Sequence, residues 1–202
     1  MPTYCEIGSQ EARERLDDHE LKELIGLHHL ACDLNDLKGS DVTLRLVAQD
    51  GGGRSCHRIH GKAHGFVYPD APHAAHVRAD VRHKRRRYVL MHEVRHCWQF
   101  IRGASIITKE AEEGDADGFA SRYLPKLRGV LFEINDAIDR RAPSLLKYPK
   151  SPSLQSRLDE LAHEIIGSLG IGRPSDHYFS EEAAQDLVDQ RRLANGKMPS
   201  GQ

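Results

Sequence analysis

The sequence predicts an α+β fold in which a short sheet is followed by a series of helices. Three segments between residues 41 and 79 have the composition of β-strands. Apolar residues at helical spacing precede them over residues 10–37, and a second helical pattern begins at Arg87. With 202 residues, the chain is long enough for one domain with a buried core.

Turn residues separate the three predicted strands. Residues 41–47 alternate and include β-branched residues, and the glycines at residues 51–53 predict a flexible turn after them. Two further strands are predicted near residues 65–68 and 74–79, on either side of a proline-containing connection. An edge strand of such a sheet can hold an extended peptide by backbone pairing. The sequence does not identify which strand forms that edge.

The strongest chemical signal is a His-Glu-x-x-His motif at His92, Glu93 and His96, within a helical pattern. Two imidazoles four residues apart lie one above the other on a helix, close enough to share one metal ion. The adjacent glutamate can act as a general base in such a site. A second His-Glu pair begins at His163, but Gly167 stands where its second histidine would be. Only the first motif therefore predicts a paired site, and it points to a zinc-dependent hydrolase.

The residues around the motif predict a helix with one face in the core. An apolar stripe runs along it at spacings of four, three and four residues, through Leu90, Val94, Cys97 and Ile101. The two motif histidines lie away from this stripe. Gly103 is predicted to end the helix as its C′ residue.

A catalytic zinc needs a third protein ligand and an open position for water. The next predicted helix has Thr108 as its N-cap and begins with an acidic stretch. A short connection makes the two helices antiparallel, and a rise of 1.5 Å per residue then returns Glu113 nearly to the level of His96. We predict Glu113 as the third ligand, with Glu110 and Glu112 as alternatives. Asp117, one turn further on, is predicted to accept the spare N–H of a ligating histidine.

The acidic stretch reads Glu-x-Asp-Ala-Asp-x-Phe-Ala from Glu113 to Ala120. It resembles the Glu-x-Glu-Ala-Asp/Asn-x-Phe-Ala stretch that follows the motif in gluzincin-type metallopeptidases, above all the ImmA/IrrE-like family. The resemblance covers about residues 88–124 and implies a small intracellular zinc peptidase; several members of that family cleave repressor proteins. It implies Glu93 as general base and three zinc ligands, which are His92, His96 and Glu113.

The chain departs from that family's pattern at two positions. Arg95 replaces the glycine that usually precedes the second histidine, and Asp115 replaces the usual second glutamate. No segment resembles the helix-turn-helix domain that some members carry. The short sheet, motif helix and glutamate helix together predict a minimal zincin-like domain.

The predicted function is therefore that of a zinc metallopeptidase with one zinc per chain, acting on a protein or peptide and serving a regulatory role. Three alternatives stay open, which are a zinc hydrolase of a non-peptide substrate, a non-catalytic zinc-binding regulatory protein on the same scaffold, and a chance motif without metal. The donor that stabilises the oxyanion is also open, with Tyr88, Tyr123 and a histidine as candidates.

Beyond residue 128 the chain is predicted to form packing helices. Helical spacing covers residues 130–138 and 154–169, with Ser153 as the N-cap of the latter, and a third helix is predicted from Ser180 to Leu193. We predict a single domain over residues 1–202 with three parts, namely a zincin-like catalytic core at 1–128, a helical extension packed on it at 129–193, and a flexible tail at 194–202.

The composition argues against a membrane protein or a generally nucleic-acid-binding one. The formal net charge is −1, and no apolar run approaches the ~20 residues of a membrane-spanning helix. The first residues lack the basic and apolar regions of a secretory signal, which predicts a cytoplasmic protein. In that compartment free thiols are expected for all four cysteines, Cys5, Cys32, Cys56 and Cys97. The oligomeric state is left open.

Two clusters lie upstream of the motif. Six histidines between residues 57 and 83 match no zinc-finger spacing, so a second metal site is not favoured. Cations at a helix start oppose its dipole, so the basic run that follows predicts either a later helix start or an anionic partner such as nucleic acid. The run consists of Arg82, Lys84, Arg85, Arg86 and Arg87.

Overall fold

The computed structural model describes residues 5–7, 16–47, 63–103, 108–141 and 152–174. Within these residues the chain has an α+β fold with a four-stranded sheet and five α-helices, in agreement with the predicted fold class. The strands are β1 (Cys5–Ile7), β2 (Thr43–Val47), β3 (Gly65–Tyr68) and β4 (Ala71–Arg78). The helices are α1 (Asp18–Leu34), α2 (His83–Ile101), α3 (Lys109–Leu127), α4 (Leu131–Arg141) and α5 (Pro152–Ser168).

The sheet is mixed, with the strand order β1-β2-β4-β3. β2 pairs in parallel with both β1 and β4, whereas β3 pairs antiparallel with β4. β3 therefore forms one edge of the sheet in the described part of the chain, which the sequence alone did not identify. The register places Gly65 opposite Val77 and Phe66 opposite His76.

α2 occupies the centre of the fold, where it packs against β4, α1 and α3. Its apolar stripe lies in the core as predicted, since Leu90, Val94 and Cys97 are fully buried. The core side of the sheet contributes Leu44 and Val77, which are also fully buried. α4 and α5 pack against α1. Among the helices of the described residues, none is long and apolar enough to cross a membrane.

Several predicted boundaries move in the structure. α1 begins at Asp18, after an N-cap at Asp17 that accepts from the Glu20 N–H at 2.6 Å. β4 begins at Ala71 and includes Pro72, because the turn consists of only two residues. The prediction that Ser153 is an N-cap is wrong: α5 begins one residue earlier, at a proline, which suits a first helical turn.

Other predictions fall outside the described residues. These are the start of the first helix at residues 10–15, the turn at 51–53, the helix at 180–193 and the tail at 194–202. Cys32 and Cys97 are buried free thiols, as expected.

The basic run extends from the N-cap, Arg82, into the first residues of α2 and is not in a loop, so the later helix start that the sequence suggested is wrong. The reason is that α1 supplies carboxylates at this end. Arg86 contacts Glu20 at 3.2 Å, and Arg87 contacts Glu23 at 2.5 Å. Glu23 also lies 2.7 Å from the His83 ring. These contacts offset the unfavourable interaction of the cations with the helix dipole.

A partly buried polar cluster connects α5 to α1 and to the 3-10 turn at Gly39–Asp41. His29 Nδ1 lies 2.7 Å from Asp159, and the Ser40 hydroxyl donates to the same carboxylate at 2.6 Å. Gly39 leaves room for the imidazole, because a Cβ there would lie 2.3 Å from His29 Nδ1.

We expect Gly39→Ala to lower the free energy of unfolding by about 1–3 kcal/mol, the usual cost of forcing a carbon into a packed interior. Urea denaturation measures the change. Gly167→Ala in α5 is the matched control, because no described atom lies within 4 Å of a Cβ there. The control should leave stability unchanged or raise it by up to about 1 kcal/mol. Equal destabilisation by both variants would contradict the packing around His29.

Candidate metal centre

α2 presents the two motif histidines one turn apart on the face opposite its apolar stripe. Both are buried, and their Nε2 atoms lie 3.0 Å apart. The rings of His92 and His96 meet edge to face, with centroids 4.6 Å apart. The two nitrogen lone pairs can therefore converge on one point.

α3 runs antiparallel to α2, since Tyr88 of α2 contacts Asp117 while Gln99, three turns on, contacts Glu112. This pairing brings Glu113 beside both histidines. Its carboxylate oxygens lie 3.4 Å from His92 Nε2 and 3.9 Å from His96 Nε2.

The three donor atoms fit a zinc ion. All of them lie within 4.8 Å of one another, and within the described ranges no other group of three such side chains does. Tetrahedral bonds of about 2.0–2.2 Å separate neighbouring ligands by roughly 3.3 Å, close to the spacing found here. The alternatives to Glu113 are less favourably placed, because Glu112 approaches His96 only at 4.0 Å and on its other nitrogen, while Glu110 is exposed.

His92 has a carboxylate beside its second nitrogen, where Asp117 was predicted to be. Asp117 Oδ1 lies 2.9 Å from His92 Nδ1, although it is off the line of a well-aligned hydrogen bond. The Tyr88 hydroxyl donates to the same oxygen at 3.0 Å. Asp117 therefore links a tyrosine to the first candidate ligand.

His96 is supported by residues that the sequence analysis did not place at the site. Its Nδ1 lies 2.6 Å from Gln99 Oε1. Gln99 in turn donates to Asp115 at 2.8 Å, and Asp115 is paired with Arg95. The only sign of this network in the sequence was that Arg95 and Asp115 both depart from the metallopeptidase pattern that residues 88–124 resemble.

Glu93 lies next to the candidate ligands and is 5% exposed. The edge strand passes directly over it, because a Cβ on Gly65 would lie 2.7 Å from both Cγ and Oε1 of Glu93. Only glycine at this position lets β3 approach α2 so closely. Burial, opposed by His92 and reinforced by Glu113, raises the pKa of Glu93 to about 8.

These groups open into one cleft of about 700 Å³ between β3, α2 and α3. The two candidate histidine ligands, Glu93 and Glu113 all line it. His64 is the one further histidine in the described lining. The Tyr123 hydroxyl, one of the candidate oxyanion donors, donates instead to Gly172 O at 3.2 Å and does not contribute to the described lining.

The two histidines differ in their affinity for protons. Burial lowers the pKa of His92, but Asp117, Glu113 and Glu93 outweigh this effect and raise it to about 9. Burial, together with the neighbouring His92, lowers the pKa of His96 to about 4. At neutral pH the metal-free pair therefore carries one positive charge.

Comparisons with family models, with curated proteins and with solved structures return no match. The chemical interpretation therefore depends on the donor set itself. Two imidazoles and one carboxylate suit zinc, and three protein ligands leave a fourth position for water, as in catalytic rather than structural sites.

We expect Glu113→Ala to weaken zinc binding by at least about 100-fold, because loss of a ligand costs more than the 10–100-fold typical of groups behind the ligands. Competition with a chromophoric chelator measures the affinity. Glu112→Ala is the matched control, since it removes the adjacent carboxylate of α3 and should change the affinity less than about threefold. A larger loss of zinc affinity in Glu112→Ala than in Glu113→Ala would identify Glu112 as the third ligand.

Zinc binding should release about one proton per site at pH 7, since the raised pKa of His92 keeps it protonated in the metal-free protein. The apparent affinity should then rise about tenfold per pH unit from pH 7 and level off near pH 9. Calorimetry in two buffers of different ionisation enthalpy measures the proton release. An affinity that is constant over this interval would contradict the ion pairs assigned to His92.

Proposed function

We propose that this protein is a zinc-dependent metallopeptidase. The observation that carries the proposal is the position of Glu93, which is buried beside the donor group His92, His96 and Glu113 in one open cleft. Three protein ligands, an open coordination position and an adjacent carboxylate are the parts that metal-assisted hydrolysis requires.

The order of elements supports the same proposal. An edge strand, a helix with the His-Glu-x-x-His motif and a following helix with Glu113 succeed one another along the chain. This is the order that a minimal zincin-like domain would require. The resemblance of residues 88–124 to ImmA/IrrE-like peptidases adds to it, and we extend the proposal to an intracellular, regulatory peptidase on that basis.

His92, His96 and Glu113 would hold the zinc ion, which would supply Lewis-acid chemistry toward a water and the scissile carbonyl. Glu93 accepts a proton from the attacking water and donates it to the leaving amine. A raised pKa near the neutral range suits a group that must do both. Tyr88 lines the cleft but donates to Asp117. His64 is the remaining candidate to stabilise the oxyanion: its Nδ1 accepts from Arg85 at 3.5 Å, which leaves its other ring nitrogen to donate.

The edge strand favours a peptide as the substrate. Arg78 N–H donates to His64 O at 2.9 Å, and in an antiparallel ladder the next residue points its backbone groups the other way. The N–H and C=O of Gly65 therefore point away from β4, where no described strand pairs with them, and Gly65 lies directly above Glu93. An extended peptide that pairs with this edge would bring a carbonyl to the site.

We expect Glu93→Gln to retain zinc and to lower peptide cleavage by about 100–10,000-fold, the usual contribution of a general base. A quenched fluorescent peptide library provides the assay, and elemental analysis provides the zinc content. Glu110→Gln, an exposed glutamate outside the cleft lining, is the control and should keep full activity. Unchanged cleavage by Glu93→Gln would exclude Glu93 as the general base. Zinc-loaded protein that cleaves no peptide would contradict the proposed peptidase activity.

A further inference from the structure

We infer that Gln99 is a positioning residue that holds the proton of His96 on Nδ1, and that the Arg95–Asp115 pair sets the orientation of Gln99. The inference rests on the proposed zinc site, because its purpose is to present the Nε2 lone pair of His96 to the metal. It concerns residues that neither the motif nor the ligand set includes.

A fully buried ion pair joins α2 to α3. Arg95 and Asp115 are 1% and 0% exposed. Arg95 donates to the carboxylate from Nε at 2.7 Å and from a terminal nitrogen at 3.2 Å, a bidentate arrangement. Its other terminal nitrogen donates to Asn35 Oδ1 at 2.7 Å, and its guanidinium stacks on the Trp98 ring at 4.1 Å. These contacts fix the carboxylate in place.

The hydrogen-bond partners of the Gln99 amide determine its orientation. Its nitrogen donates to Asp115 Oδ2 at 2.8 Å and to the Glu112 carbonyl oxygen at 3.1 Å. Both partners are acceptors, since a carboxylate paired with a guanidinium has no proton to give. The reversed amide would place its oxygen against these two acceptors. The network therefore allows one orientation, in which Gln99 Oε1 faces His96.

The orientation of Gln99 in turn determines the tautomer of His96. An amide oxygen can only accept, so the His96 Nδ1 atom at 2.6 Å from it must carry the proton. The neutral ring then has its lone pair on Nε2, the nitrogen that faces His92 and Glu113. A histidine that donates its spare N–H in this way is oriented and made more basic as a metal ligand.

The two candidate histidine ligands are thus supported differently. His96 depends on a neutral amide that is itself held by a closed, buried ion pair. His92 faces Asp117, whose side chain is 26% exposed and borders the cleft. The rigid support lies behind the second histidine, where Gln99 is 1% exposed.

The experiment is a long-range ¹H–¹⁵N NMR spectrum of the metal-free protein at about pH 7.5, which identifies the protonated nitrogen of each neutral histidine. We expect His96 to carry its proton on Nδ1 in the wild type. In Gln99→Leu, which keeps a similar volume without the amide, we expect signals of the other tautomer and about 10–100-fold weaker zinc binding. Gln155→Leu, which removes a buried glutamine of α5 outside the described cleft lining, should change neither.

Two results would overturn the inference. A wild-type proton on Nε2 would overturn it even if Gln99→Leu failed to fold, since this reading needs no variant. An Nδ1 proton that persists in folded Gln99→Leu would show that another group holds it. Failure of the proposed function is distinguishable from both, because the tautomer is measured without metal or substrate.

Discussion

The buried pair of Arg95 and Asp115 is the interaction on which the site depends. It joins α2 to α3 at a depth where neither partner meets water, and Asn35 extends it to α1. Loss of one partner of such a pair typically costs about 3–5 kcal/mol, because an uncompensated charge stays buried. The pair therefore fixes the register of α3 on α2, and this register is what brings Glu113 to the histidines.

The two sides of the cleft differ: the side behind the candidate histidine ligands is buried, and the side that faces the cleft is more open. Behind the candidate ligands, Gln99 is buried, and both the oxygen and the nitrogen of its amide make hydrogen bonds. At the front, the half-buried strand β3 and the half-exposed Glu113 border the space where a substrate would lie. Gly65 connects the two regions, because its missing side chain lets the strand edge lie against the buried Glu93. A fixed ligand frame beside an accessible backbone edge suits a site that must accept an extended chain.

Local patterns predicted the elements that carry the site. The N-cap at Thr108 and the positive φ of Gly103 are features of a few adjacent residues, and both are found in the structure. The sequence could not show that Arg95 and Asp115 meet, because the pairing of residues twenty positions apart depends on how two helices pack. The same limit explains the misplaced start of α2, since the carboxylates that favour it come from α1, more than sixty residues earlier. Composition and spacing thus left open the contacts between helices that no recognised motif marked.

The most direct test of the proposed zinc site is a crystal structure of the zinc-loaded protein with diffraction data on both sides of the zinc absorption edge. We expect one anomalous peak within about 2.0–2.2 Å of His92 Nε2, His96 Nε2 and a Glu113 oxygen, with a fourth position open to solvent. A peak at other residues, or none in crystals grown with excess zinc, would contradict it.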